Sequence, residues 1–410
     1  MRLRLLVLLL VVLPVIALSL PAFATAAGVT LTPNEQLGKS AFFDADLSVN
    51  HNQSCATCHG PDAGWTGPDT AINAHGGVYE GSIPGAFGDR KPPSSAYATF
   101  APVLHLTKKG DFVGGNFWDG RATGEKLGNP AADQAQGPFL NPKEQALADP
   151  AHVVYRVATG TSPEYPYSFA FVWGWDPATE IDWPDPMPGG DQYVLLDDAD
   201  RAMVHMAYDQ IALSIAAYEA SPESNAFSSK FDGWRSGKAA FTQPETKGFA
   251  LFMGKGKCAK CHTATGKNPL FTDYTYDNLG LPKNPENPAT IADPSWADPG
   301  LGGFLGSRYD YAPFADENMG KHKVPTLRNV AKGAGEAPDG IVKAYGHNGY
   351  FKSLEDIVHF YNMRDLGGWP EPEVAENVNT AELGNLGLTA QEEADIVAFL
   401  KTLSDGYLAP

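Results

Sequence analysis

Apolar residues recur at helical spacing in a few separated stretches of the chain, with polar, glycine- and proline-rich sequence between them. Residues 202–219 make the longest stretch. Met206, Ile211, Ile215 and Tyr218 fall on one side of a 3.6-residue period, which predicts an amphipathic helix with that side buried. Ser221-Pro222-Glu223-Ser224-Asn225 ends it. Near the C-terminus Ile396, Val397, Phe399 and Leu400 form a second apolar face. Thr389 caps its start and Glu392 completes a capping box. Gly38-Lys39-Ser40-Ala41-Phe42-Phe43 and Gly248-Phe249-Ala250-Leu251-Phe252 are alike, and each predicts a further amphipathic helix. Residues 173–190 and 284–311 read as inserted loops. At the start, Arg2 and Arg4 precede an apolar run over 5–20, followed by Ala22-Phe23-Ala24 and Ala24-Thr25-Ala26. This predicts an export signal over residues 1–26, cleaved near Ala26. An uncleaved anchor is the alternative reading of the same run. No later segment is apolar enough to span a bilayer, so the mature protein is expected in the periplasm without a membrane span.

Composition adds bounds. At roughly 150 residues per domain, 410 residues suggest two or three domains. Lys and Arg number 30 against 48 Asp and Glu, a net charge of −18, so the basic footprint of a nucleic-acid binder is missing. The acidity suits a solvated surface or a face that meets a basic partner. With 43 glycines and 33 prolines, long loops are expected between the helices.

The four cysteines carry the chemistry. They form two Cys-x-x-Cys-His units, Cys55-Ala56-Thr57-Cys58-His59 and Cys258-Ala259-Lys260-Cys261-His262. This is the c-type haem attachment signature. Two thiols one turn apart can add to the two vinyl groups of one haem, and the following histidine can reach the iron from below. Two disulfides or zinc would also use four cysteines. Neither explains a histidine directly after each pair. Two covalent haem c groups follow, held by Cys55, Cys58 and His59 and by Cys258, Cys261 and His262. The fold expected is mainly α, with two cytochrome c-like domains over residues 27–222 and 223–410, long loops, and the haems near the domain interface. So large a chain around two haems suggests an enzyme; a di-haem electron carrier is the non-catalytic alternative.

Further segments carry a family likeness. Phe117-Trp118-Asp119-Gly120-Arg121-Ala122, Asp133-Gln134-Ala135-Gln136-Gly137-Pro138 and Asn141-Pro142-Lys143-Glu144 precede the second haem unit, and Val324-Pro325-Thr326-Leu327-Arg328-Asn329-Val330, His347-Asn348-Gly349 and Ser353-Leu354 follow it. Taken in order, these resemble the bacterial di-haem cytochrome c peroxidases and their MauG relatives. The resemblance implies that hydrogen peroxide reacts at the N-terminal haem. It implies Glu144 as the distal acid–base group, with Gln134 and Pro138 lining the same side, and Trp118 as the relay between haems. A histidine at the offset of His75 caps that haem in the classical peroxidases; His105 and His51 are rivals for this role. For the C-terminal haem, the position fourteen beyond His347 holds Tyr361, as in MauG-type enzymes, with Met363 as competitor for the sixth iron ligand. A regular helix turns about 200° over two residues, so only one of them can face the iron. The resemblance also allows a homodimer and an inter-domain calcium ion. Here, however, Lys91 and the segment Ile341-Val342-Lys343-Ala344 stand where its ligands are expected, leaving calcium only carbonyls and water. The electron source is a small cytochrome c or copper protein, or a side chain of a protein substrate. Tyr361 points to the latter and His75 to the former.

Overall fold

Three of the helices that carry the fold begin on the same device. Thr32, Thr242 and Thr389 each cap a helix, and Glu35, Glu245 and Glu392 three residues on return a carboxylate to the cap backbone. Each box satisfies two amides that the first turn would leave unpaired. The computed structural model describes residues 30–161, 163–335 and 340–408; the predicted export signal lies outside the described residues. Among these, the first half contains α1 (Pro33–Phe43), α2 (Cys55–Cys58), α3 (Thr70–Ala74), α4 (Pro130–Leu140), α5 (Pro150–Thr159), α6 (Phe169–Trp173), α7 (Pro177–Glu180) and α8 (Asp198–Ala220). The second half contains α9 (Lys230–Arg235), α10 (Gln243–Met253), α11 (Pro288–Ala292), α12 (Gly300–Gly306), α13 (Leu354–Met363) and α14 (Ala390–Lys401). Two antiparallel strand pairs are the only ladders among the described residues: β1 (His105–Leu106) with β2 (Phe112–Val113), and β3 (Tyr276–Asp277) with β4 (His322–Lys323). The protein is therefore mainly helical.

Leu31–Pro410 forms one compact unit with two large apolar cores. In the first, α1 crosses α8, and Leu37, Phe42, Ile211, Ile215 and Tyr218 are buried together with Trp65. In the second, α10 crosses α14, and Phe252, Phe271, Phe360, Phe399 and Leu400 pack with Phe231. The likeness of the two glycine-led segments has a physical cause. A Cβ on Gly38 would lie 1.8 Å from the Ser214 carbonyl oxygen, and one on Gly248 would lie 1.8 Å from that of Asp395. Each crossing is close enough that only glycine fits.

Three sequence expectations are corrected. Met206 is 45% exposed although Ile211, Ile215 and Tyr218 on the same helix are buried; five residues turn a helix by about 500°, so Met206 lies away from Ile211, and Val204, Ala207 and Tyr208 cover the core there instead. Residues 173–190 are no free loop. Trp173 and Trp175 donate their indole N–H to Ser214 Oγ (3.1 Å) and Gln210 Oε1 (2.9 Å), fastening the stretch to α8. Residues 284–311 hold α11 and α12, whose Leu301 and Leu305 pack against Phe112 and Tyr276. Periodicity misses both segments because their helices are too short to show it. Among the described residues no helix is long and apolar enough to cross a membrane.

Candidate functional site

Both Cys-x-x-Cys-His units are closed by one helical turn. The amide of His59 donates to Cys55 O, and that of His262 to Cys258 O, each at 2.9 Å. The imidazoles are oriented alike. His59 Nδ1 lies 3.2 Å from Trp65 O, and His262 Nδ1 lies 2.8 Å from Phe271 O. A carbonyl can only accept, so Nδ1 carries the proton and Nε2 keeps a free lone pair. The accepting residues, Trp65 (φ 64°) and Phe271 (φ 53°), are both held in the left-handed region. Two bulky aromatics in so unfavourable a conformation mark positions fixed by their surroundings. Burial lowers the pKa of both histidines, His59 to about 4, which keeps the lone pairs available.

The four thiols are unbridged, so the disulfide alternative finds no support. Burial pushes Cys58, Cys258 and Cys261 up to about 12 and Cys55 further, so they stay neutral. Among the described residues neither unit gathers its two sulfurs and imidazole nitrogen within 4.8 Å of one another, which zinc would require. Instead each unit lines a cavity. The first, of about 520 Å³, holds Cys55, Cys58 and His59 in its wall. The second, of about 230 Å³, holds Cys258, Cys261 and His262. Neutral thiols, a free Nε2 and an adjoining cavity fit a covalently attached haem at each unit.

Glu144, Gln134 and Pro138 all line the first cavity with Asn141 and Arg121. Gln134 and Pro138 lie one turn apart on α4, and proline has no N–H to offer the Gln134 carbonyl. The chain then turns at Asn141, whose carbonyl accepts the Glu144 amide at 2.9 Å. Burial raises the Glu144 pKa above the ordinary carboxylate value, while Arg121 opposes the rise. Arg121 lies over the Phe117 ring at 4.1 Å and donates to Asp119 Oδ2 at 2.7 Å. Glu219, 3% exposed, also lines this cavity. Burial pushes its pKa up to about 8. Nothing local in the sequence marked it, because it reads as one polar position on α8.

Trp118 belongs to the walls of both cavities. It is 8% exposed, and its Nε1 donates to Lys91 O at 2.8 Å. Tyr361 on α13 lines the second cavity, whereas Met363 at the helix end lines neither. Burial raises the Tyr361 pKa above its ordinary value, so the phenol stays neutral unless a cation replaces its proton. The structure does not bring His75 to the first cavity. Its side chain is 77% exposed, and Nδ1 lies 3.4 Å from Glu286 Oε1. Neither do His51 and His105 line that cavity; His51 faces Asp46 at 3.1 Å, and His105 faces Val103 O at 2.8 Å.

The places where calcium ligands were expected are occupied by ammonium groups. Lys91 Nζ donates to Thr66 Oγ1 and Pro92 O, each at 2.9 Å. Lys343 Nζ donates to Ala63 O at 2.5 Å and Lys332 O at 3.0 Å. Burial pulls both down to about 7. The carbonyls that a calcium ion would need are thus held by lysines, and these residues do not fit it.

Sequence reasoning also missed a buried ionic chain behind Trp118. Asp119 Oδ2 accepts from Arg121 and, at 2.6 Å, from Arg90 Nη1. Arg90 in turn holds Asp298 through Nε and Nη2, both at 2.6 Å. Asp119 and Arg121 stood inside a quoted motif, but only the fold joins them to residue 298.

Comparison with known proteins agrees with these features. The family model described as di-haem cytochrome c peroxidase matches residues 32–240. The methylamine utilization protein MauG of Paracoccus denitrificans is 34% identical over 91% of this chain and 89% of its own length. The cytochrome c551 peroxidase of Nitrosomonas europaea is 28% identical over 95% and 90%. The crystal structure of the dihaem peroxidase BthA from Burkholderia thailandensis superimposes with a TM-score of 0.72 at 29% identity, covering 93% of this chain and 88% of that one. With the family model matching residues 32–240 and the likeness to MauG running the length of the chain, this chain belongs to the di-haem cytochrome c peroxidase family.

Proposed function

We propose that this protein is an exported, periplasmic di-haem peroxidase whose oxidised form already accepts hydrogen peroxide, and that it draws its electrons from a side chain of a protein substrate, as in the MauG reading. The observation that carries this reading is the placement of Tyr361 in the second cavity with Met363 outside it. A phenolate donor stabilises oxidised iron, whereas a thioether favours the reduced state. The exposed position of His75 beside Glu286 supports an N-terminal haem with an open distal side. The two cores support a division near residue 222, with 27–222 around the first haem and 223–410 around the second.

Bound haem supplies iron that takes up the oxidising equivalents of peroxide. The chain's own residues do the rest. His59 and His262, each oriented by a backbone carbonyl at Nδ1, would hold the haem iron through Nε2. Glu144 takes the first peroxide proton and returns it to the leaving oxygen; its burial and the opposing Arg121 keep it able to do both. Gln134 and Pro138 shape the distal wall. Trp118, shared by both cavities, would stand between bound haems as the relay for charge. The experiment is Tyr361→Phe. The spectrum of one haem should change and that of the other stay fixed; an unchanged pair of spectra overturns the assignment.

A further inference from the structure

Beyond Arg90 the ionic chain ends in a group of histidines and carboxylates in the wall of the second cavity, to which the peroxidase reading gives no role. Asp298, His322 and His347 are all buried and bring one donor atom each within 4.8 Å of the others. His322 sits in β4, opposite Asp277, and its ring stacks on His347 with centroids 3.5 Å apart and planes 7° from parallel. Glu373, 3% exposed, faces His347 Nε2 at 3.1 Å.

His322 is short of a proton. Its Nδ1 lies 3.1 Å from Gly320 O, and its Nε2 lies 3.2 Å from Asp298 Oδ2. A neutral imidazole has one N–H for these two oxygen acceptors. The contact with Asp298 does not have hydrogen-bond geometry, and Nε2 is buried without a partner. A nitrogen lone pair and a carboxylate oxygen therefore face each other out of reach of water, an arrangement that needs a proton or a metal cation between them, and the misaligned contact serves a proton poorly. The spacing suits a metal ion. Two donors, each about 2.1 Å from one ion, stand roughly 3.0–3.4 Å apart at octahedral to tetrahedral angles.

The charges point the same way. Arg121 and Arg90 offset Asp119 and Asp298, while among the described residues Glu373 has no lysine or arginine within 4.0 Å. One negative charge is left over. The donors are also braced from behind. Asp298 accepts from Arg90 and, at 2.9 Å, from the Gly300 amide. Gly320 O fixes His322. Such outer contacts orient metal ligands. Because the two rings lie parallel, their lone pairs run side by side, and a shared ion requires one ring to turn out of the stack.

We propose that Asp298, His322 and His347 bind a divalent first-row transition ion of the zinc class, with Glu373 bracing His347 from behind. Two imidazoles with a carboxylate and no thiolate suit that class.

The test uses the protein with both haems attached, stripped with EDTA and then titrated with Zn2+ by calorimetry. Zinc is counted against iron by mass spectrometry. The expected result is one tight zinc ion per two irons. Binding should fall by more than about 100-fold in His322→Phe, since even indirect partners of metal ligands are worth 10–100-fold. Phenylalanine keeps a flat ring for His347 to stack on. Asp298→Asn is the second variant, in case the first loses haem. No stoichiometric zinc in the wild type, or equal zinc in the wild type and a haem-retaining variant, overturns the proposal. So does a zinc-edge anomalous map with no peak beside His322, or density showing His322 Nε2 bonded to a haem propionate.

Discussion

Replacing Glu144 by glutamine removes one proton site and little else. The amide is nearly isosteric, and the backbone of residue 144 keeps its bonds, with its carbonyl accepting from Ser82 N at 2.7 Å and its amide donating to Asn141 O at 2.9 Å. The cavity wall of Cys55, Cys58, His59, Gln134 and Pro138 is therefore expected to stand. What is lost is a carboxylate whose pKa is raised by burial and restrained by Arg121. General acid–base groups contribute about 10²–10⁴ in rate, or about 3–5 kcal/mol of barrier. The second-order rate of peroxide reaction, followed by stopped-flow absorption at the Soret band, should fall by that factor. Two irons per chain and unchanged resting spectra would show that the variant is intact. The wild-type rate should fall as pH drops through the raised Glu144 pKa, because the protonated acid cannot accept the first peroxide proton. The variant should lack that limb. A rate within about threefold of wild type, less than the weakest general acid–base contribution, refutes the role of Glu144.

Gly248→Ala should open the α10–α14 crossing, because its Cβ would sit 1.8 Å from Asp395 O. Overpacking of this kind costs about 1–3 kcal/mol or more, and thermal unfolding with loss of the second haem site would register it; an unchanged Tm contradicts the close approach. Glu219→Gln tests burial beside the first haem unit. With a folded pKa of about 8, the native carboxyl holds a proton that the unfolded chain releases near its ordinary value. Relative to the variant, the wild type should lose about 1.4 kcal/mol per pH unit from about 4.5 until pH 8 and then level off; parallel stability profiles for the two proteins would exclude it. Calcium removal is expected to do nothing: EGTA should leave wild-type Tm unchanged. Lys343→Met should destabilise by about 1–3 kcal/mol through the carbonyls of Ala63 and Lys332 that it leaves unpaired. A Tm that falls with EGTA contradicts the lysine assignment.

What could be read from the sequence was local. The Cys-x-x-Cys-His units, the Thr389–Glu392 box and the twin glycine-led helices each lie within a few residues, and the structure forms them as the spacing implies. The motif around Trp118 was legible only by resemblance; its place in both cavity walls is a property of the fold. Position in sequence misled at His75. The offset from His59 suggested the cavity, but α3 ends there and the ring points to Glu286. Least legible was the chain from Arg121 through Arg90 to Asp298, His322, His347 and Glu373. Its members are scattered from residue 90 to residue 373; Arg121 and His347 stood in quoted motifs, but no spacing joined the members to one another. From Arg90 onward their shared feature is burial with opposite charges, which only the tertiary structure reveals.

The most direct test of the proposed function is an absorption time course, from ultraviolet to near infrared, after one equivalent of peroxide is added to the fully oxidised protein without reductant. With Tyr361 in the second cavity and His75 at the surface, the account predicts immediate spectral change involving both haems. No change until one haem has been reduced would contradict it, and would place a ligand such as His75 on the N-terminal iron.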